Sequence, residues 1–314
     1  MMDIRIIISM CCGLIMTTLI SCDKELKIEL DGNDELIVVN SIFNQGEIAE
    51  VELTKSFSPY EEIKVKELSS ATVSLYSDGT FIENLTYSKL TTETIGKFRT
   101  ASVLNAGTNY ELKVVDPNLG SASALGNIPA LGVPIESPAV TWNESWDTLN
   151  SIKFDFNLEV NDPSEENYYY LTMAVPVLKY NEILEVYEFY TWQYAEVLTG
   201  DLPNHQPYLN NGLLLNDDAF DGSAYNITGT ATTSIEPWGN FDMSGDLIVD
   251  KTHLYINLHN LSKPLFDFYS SYATKLESQE DIYSEPSSIY SNISGGIGIF
   301  AGANVTTEAV LIEY

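Results

Sequence analysis

The chain has 314 residues, with 45 Asp or Glu against 15 Lys or Arg and a formal net charge of −30. Repulsion between that charge and phosphate excludes nucleic acid as a broad partner, and an anionic lipid surface with it. Hydrophobic residues at 44% are too many for a wholly disordered chain, and 19 Tyr with 12 Phe suit half-buried sheet faces and interfaces.

Residues 1–21 have the three parts of an export signal: a short start containing Arg5, an apolar stretch from Ile6 to Ile20, and small residues before Cys22. The stretch is shorter than the ~20 residues of a spanning helix, so cleavage is expected rather than retention. Leu19-Ile20-Ser21-Cys22 resembles the bacterial lipobox, whose Cys thiol is lipidated and becomes the mature amino terminus. That resemblance implies a bilayer anchor of acyl chains on Cys22, each contributing ~0.8 kcal/mol per buried CH₂. Cys11 and Cys12 leave with the signal, so the mature chain has no disulfide pair, thiol nucleophile or thiolate cluster. Residues 22–35 read as a short acidic tether. They resemble the tags that follow the lipidated Cys in surface lipoproteins of the Bacteroidetes, which implies the outer membrane and its exposed face.

Beyond the tether the expected fold is mainly β. Residues 36–129 read as an immunoglobulin-like β-sandwich, 130–140 as a linker, and 141–314 as a second β-rich domain with one short helix. Leu36-Ile37-Val38-Val39 and Ile48–Leu53 flank a turn at Asn44-Gln45-Gly46. Ala71–Tyr76 alternates and is followed by Asp78-Gly79, a hairpin signal. Lys97–Ala101 and Tyr110–Val115 are expected to pair across Asn105-Ala106-Gly107, and Ser121–Leu125 offers one more strand. In the second region Ile152–Leu158, Tyr168–Val177, Ile183–Val197, Tyr225–Ile235 and Asp246–Leu258 are β-prone. Apolar residues spaced by three and four, from Leu265 to Leu276, predict a helix over 263–280, with Pro264 in its first turn. The glycines of Ser294–Phe300 permit a bulge or close backbone approach before a closing strand at Val305–Ile312.

Chemistry-bearing patterns are sparse. The three histidines, His205, His253 and His259, lack the spacing of a zinc site. Asp217, Asp218 and Asp221 form the densest oxygen-ligand stretch and are the candidate calcium ligands, although EF-hand alternation is missing. No other cofactor is expected. Glu165, Glu166, Glu182 and Glu185 offer carboxylates for glycoside hydrolysis, which needs two of them about 5–9 Å apart in a cleft. No Gly-x-Ser-x-Gly elbow or Walker sequence is present. Aromatic residues concentrate at Tyr168, Tyr170, Tyr187, Tyr190, Trp192 and Tyr194, the candidate interface for a partner or ligand.

Taken with Cys22, the segments Leu36–Val39, Ala71–Leu75, Asp217–Gly222, Glu285-Pro286 and Tyr290–Phe300 resemble a Bacteroidetes lipoprotein family, domain of unknown function 4249. That resemblance implies a carboxypeptidase-regulatory-like β-sandwich over 36–129 and an accessory partner of a TonB-dependent outer-membrane transporter, and it carries no catalytic motif. The expected function is therefore a non-catalytic lipoprotein aiding substrate capture or complex assembly. A surface adhesion or structural lipoprotein and an extracellular polymer hydrolase are the alternatives.

Overall fold

The computed structural model describes residues 35–57, 65–130, 132–142, 151–199, 206–209, 211–218, 220–234, 247–249, 252–280 and 287–312. The export signal, Cys22 and the tether up to residue 34 lie outside them, as do His205 and Glu285-Pro286. Residues Glu35–Tyr314 form one compact unit, and the described residues are mainly β, with a 15-stranded and a 5-stranded sheet.

The first strands are β1 (Ile37–Asn44), β2 (Ile48–Lys55), β3 (Lys66–Glu67), β4 (Thr72–Ser77), β5 (Thr80–Asn84), β6 (Thr86–Ser88), β7 (Lys97–Val103), β8 (Thr108–Asp116) and β9 (Gly120–Ile128). Period-two burial along β1 turns Ile37, Val39 and Phe43 inward, and β2 does the same with Ala49, Val51 and Leu53. They meet Val73 and Leu75 of β4, Leu112 and Val114 of β8 and Ile128 of β9 in one core, so the two sheets form a sandwich. Positive φ at Asp78 (46°) and Gly79 (80°) makes the mirror-image turn that a right-handed two-strand twist requires. The pairing expected between 97–101 and 110–115 is absent. β7 bonds to β2 and β6, whereas β8 bonds to β4 and β9. Residues 104–107 instead carry the chain from one sheet to the other, and the Tyr110 hydroxyl accepts the Asn105 N–H at 2.8 Å on the way. Alternating burial is identical in a hairpin and in a crossover, so the pattern alone does not distinguish them.

The second region contains β10 (Ile135–Trp142), β11 (Ser151–Asn161), β12 (Tyr168–Asn181), β13 (Val186–Thr199), β14 (Gln206–Leu209), β15 (Gly212–Asn216), β16 (Ala224–Ser234), β17 (Leu247–Val249) and β18 (His253–Leu261). Most of the stretch read as a linker is thus occupied by β10, which pairs with β11. β13 changes partner along its length: residues 186–195 pair with β12, and 196–199 pair with β16. This lets the sheet fold over itself, so that Phe154, Phe156 and Leu158 of β11 share a core with Tyr169, Leu171 and Met173 of β12.

The helix α1 (Lys263–Glu280) follows β18 and is the one helix among the described residues. The carbonyl of Ser262 accepts the N–H groups of Leu265 and Phe266, both at 3.0 Å, as the helix begins. Leu265 and Phe266 pack on the outer faces of Tyr168, Tyr170, Leu214 and Ile299. β12 is therefore covered on both faces over its first half. Leu265 is 1% exposed, so Leu265→Ala should cost about 2–4 kcal/mol in denaturant unfolding.

Two further strands, β19 (Ile293–Ser294) and β20 (Gly296–Leu311), end the described chain. The glycine-rich stretch and the expected closing strand are one element. Its first half, Gly296–Ala303, runs parallel to β1, and its second half runs antiparallel to β18. The sandwich thus takes a strand from the far end of the sequence. A Cβ on Gly298, where φ is +118°, would stand 1.9 Å from the carbonyl oxygen of Val39. Asn292 fixes the approach: its Nδ2 donates to the carbonyls of Leu125 (2.9 Å) and Phe300 (2.8 Å), and its Oδ1 accepts the Phe300 N–H (3.0 Å).

Candidate functional site

The hairpin of β12 and β13 carries most of the aromatic residues singled out in the sequence, but it divides them. Tyr168 and Tyr170 are buried beneath α1 and do not belong to an open surface. Tyr187, Tyr190, Trp192 and Tyr194 are all exposed. Register explains which of these act together. Val177 pairs with Thr191 and Leu178 with Phe189, so Tyr190 is the extra residue of a β-bulge. Past the bulge the alternation reverses, which brings Phe189 and Tyr187 to the same face as Trp192 and Tyr194. Ring separations agree: Phe189 to Trp192 is 4.9 Å, Trp192 to Tyr255 is 4.7 Å, and Tyr180 to Tyr187 is 5.2 Å. Lys179 places its ammonium 5.6 Å from the Tyr190 ring centroid.

The hairpin tip is apolar and open. Ile183 is 92% exposed and Leu184 59%, with Val186 and Phe189 also exposed beside them. The side chain of Asn181 accepts the N–H of Ile183 at 3.0 Å, and the Glu185 N–H bonds to the Asn181 carbonyl at 2.8 Å. These bonds hold a compact turn, with Glu185 at φ 55°. Contiguous apolar surface of this kind is uncommon on a body with no partner.

At the base of the hairpin a groove of about 620 Å³ opens between the Asn44–Glu47 turn and the outward faces of β12, β13, β18 and β20. Trp192, Tyr194 and Tyr255 form its aromatic side. Asn257 and His259 stand on its floor, and Asn257 Oδ1 accepts the Thr307 hydroxyl at 2.8 Å. Burial pushes the His259 imidazole down to about 4, so it is neutral at pH 7. Glu47 is the one charged residue of the lining among the described residues, and it accepts the Asn44 amide at 3.1 Å. Sequence reading passed over Tyr255, Asn257 and His259 as sites. Their period of two along β18 is the signal that marks a shared face.

A second cluster gathers Asp162, Asp217 and Asp221, whose carboxylate oxygens lie within 4.8 Å of one another. Two of the expected calcium ligands, Asp217 and Asp221, are therefore joined by Asp162 from 55 positions upstream of Asp217, not by Asp218. Asp218 is exposed and accepts the Asn216 amide at 2.8 Å. Asp162 accepts the Tyr169 hydroxyl and the Gly222 N–H (2.9 Å), while Asp217 accepts the Asn167 N–H at 2.6 Å. Burial raises the carboxyl pKa of both Asp162 and Asp217, and nearby carboxylates add to the shift. This all-oxygen set fits a hard cation, which would relieve the repulsion. The protein's own donors already bind Asp162 and Asp217.

Glu165 and Glu166 precede β12, whereas Glu182 and Glu185 sit in the turn beyond its far end. Fourteen extended residues put about 45 Å between the pairs, well beyond the separation of cooperating glycosidase carboxylates. His253 and His259 stand on one face of β18, about 20 Å apart along the strand.

The fold and site together define a class: a mainly β protein whose sandwich and second β body share a carboxyl-terminal strand, with an aromatic groove beside an exposed apolar hairpin. The chain belongs to the family described as Domain of unknown function (DUF4249), which it matches over residues 23–309. No curated protein matches the chain.

Proposed function

We propose that this chain is a non-catalytic accessory lipoprotein of the outer membrane, anchored through Cys22, that docks on a TonB-dependent transporter through the β12–β13 hairpin. The observation that carries the reading is the exposed run Ile183, Leu184, Val186, Tyr187 and Phe189. Aromatic and aliphatic side chains of this type supply the desolvated centre of protein interfaces. Glu182 precedes the run and Glu185 and Glu188 fall within it, so a docking pocket with an apolar floor and basic groups beside it is complementary. Leu19–Cys22 supports residence at a lipid boundary.

The test is extraction of the tagged chain from its native cells in mild detergent, with crosslinking. An outer-membrane barrel should accompany the native chain and be lost when Ile183 and Leu184 are both changed to Asp. Cys22→Ser should move the protein to the aqueous fraction. Recovery of the native chain alone, or a barrel that stays with the double variant, would overturn the docking role.

A further inference from the structure

We propose that the groove between the Asn44–Glu47 turn and the outward faces of β12, β13, β18 and β20 binds a neutral oligosaccharide. The first argument is charge. On a chain of net charge −30, a lining whose described residues include one carboxylate, already paired with an amide, is an electrically quiet place. Anionic ligands are repelled by the body as a whole, and a cationic ligand finds no set of carboxylates among the described lining residues to neutralise it.

The second argument is the pairing of aromatic and amide groups. The exposed Trp192 and Tyr194 and the partly exposed Tyr255 offer π faces whose negative quadrupole attracts the weakly positive C–H faces of a sugar ring. Asn257 Oδ1 accepts the Thr307 hydroxyl at 2.8 Å and its Nδ2 donates to the Thr172 hydroxyl at 3.4 Å, which leaves the second amide hydrogen and one oxygen lone pair for sugar hydroxyls. His259, neutral at pH 7, adds one more donor and one more acceptor. The volume, about 620 Å³, lies within the range of small-ligand sites.

The floor argues against an extended peptide. Such peptides add a strand to an open sheet edge, using main-chain hydrogen bonds. Here the floor is the face of β12, β18 and β20, whose backbone groups are engaged with one another. Recognition therefore falls to side chains alone. The apolar tip at Ile183 and Leu184 is not part of the lining, so ligand binding and docking can fail separately.

The experiment is calorimetric titration of the full chain, in a detergent without a sugar head group, with maltohexaose, cellohexaose, xylohexaose and chitohexaose. Hexagalacturonate serves as the acidic comparator. At least one neutral probe should bind saturably, and Trp192→Ala and Asn257→Ala should each weaken it about tenfold, which is about 1.4 kcal/mol. Should Trp192→Ala fail to fold by circular dichroism, Tyr194→Ala, at an exposed position, takes its place. Absence of binding by all four neutral probes overturns the proposal. So does hexagalacturonate binding as tightly as the neutral probes, or native affinity in the substituted chains.

Discussion

Gly298→Ala should be among the most damaging single changes in this protein, lowering stability by more than about 4 kcal/mol. The φ of +118° is a region that only glycine occupies without strain, which alone costs about 1–3 kcal/mol for another residue. The new Cβ would also stand 1.9 Å from the Val39 carbonyl oxygen, inside the parallel ladder of β1 and β20. Backbone cannot yield there without losing ladder bonds on both sides. Gly79→Ala is the matched control, because its φ of +80° imposes strain in open space. Chemical denaturation of both variants is the measurement. A Gly298→Ala midpoint no lower than that of Gly79→Ala would contradict the close approach of the two strands.

Tyr169→Phe should cost about 1–3 kcal/mol at neutral pH, because it removes a donor from the buried carboxylate of Asp162. The ring keeps its place against Phe220, so packing changes little. pH separates this effect from a packing defect. Burial already holds the Asp162 pKa above its unfolded value, so its ionisation weakens the fold as pH rises. Loss of the Tyr169 hydroxyl raises the folded pKa further. The deficit of the variant is therefore smallest at acidic pH, below about 4, where Asp162 is protonated in folded and unfolded chains alike. It grows through the folded pKa and is full at pH 7. A deficit that stays level from acid to neutral pH would show that the charge of Asp162 plays no part.

Local pattern made much of this architecture legible. Val73 and Leu75 turn inward because the strand alternates, Asp78-Gly79 turns because both residues accept positive φ, and Leu265 to Leu276 mark a helix by their spacing. What escaped the sequence depends on partners far along the chain. Nothing in Lys97–Val103 records that its neighbours are β2 and β6 rather than β8. Nothing in Gly296–Ala303 records that its neighbour is β1. The site shows the same division. Aromatic enrichment located the hairpin, but one bulge at Tyr190 decides which rings share a face, and a bulge leaves no mark in composition. Tyr168 and Tyr170 read like their neighbours and lie beneath α1, because the helix that follows β18 packs over them. Asp162 joins Asp217 and Asp221 only because the turn containing Gly222 folds back onto the end of β11.

The order in which a ribosome delivers this chain gives the shared β20 a further meaning. β1 emerges first, but its parallel neighbour leaves the ribosome only after more than 250 intervening residues. Until then the amino-terminal half has an unpaired β1 edge and lacks Phe300 from its interior, and β18 also lacks its outer neighbour. A prematurely terminated product is therefore not half a working protein but two incomplete ones. One late strand acts as the keystone that closes both, and its arrival decides whether they become resistant to proteolysis.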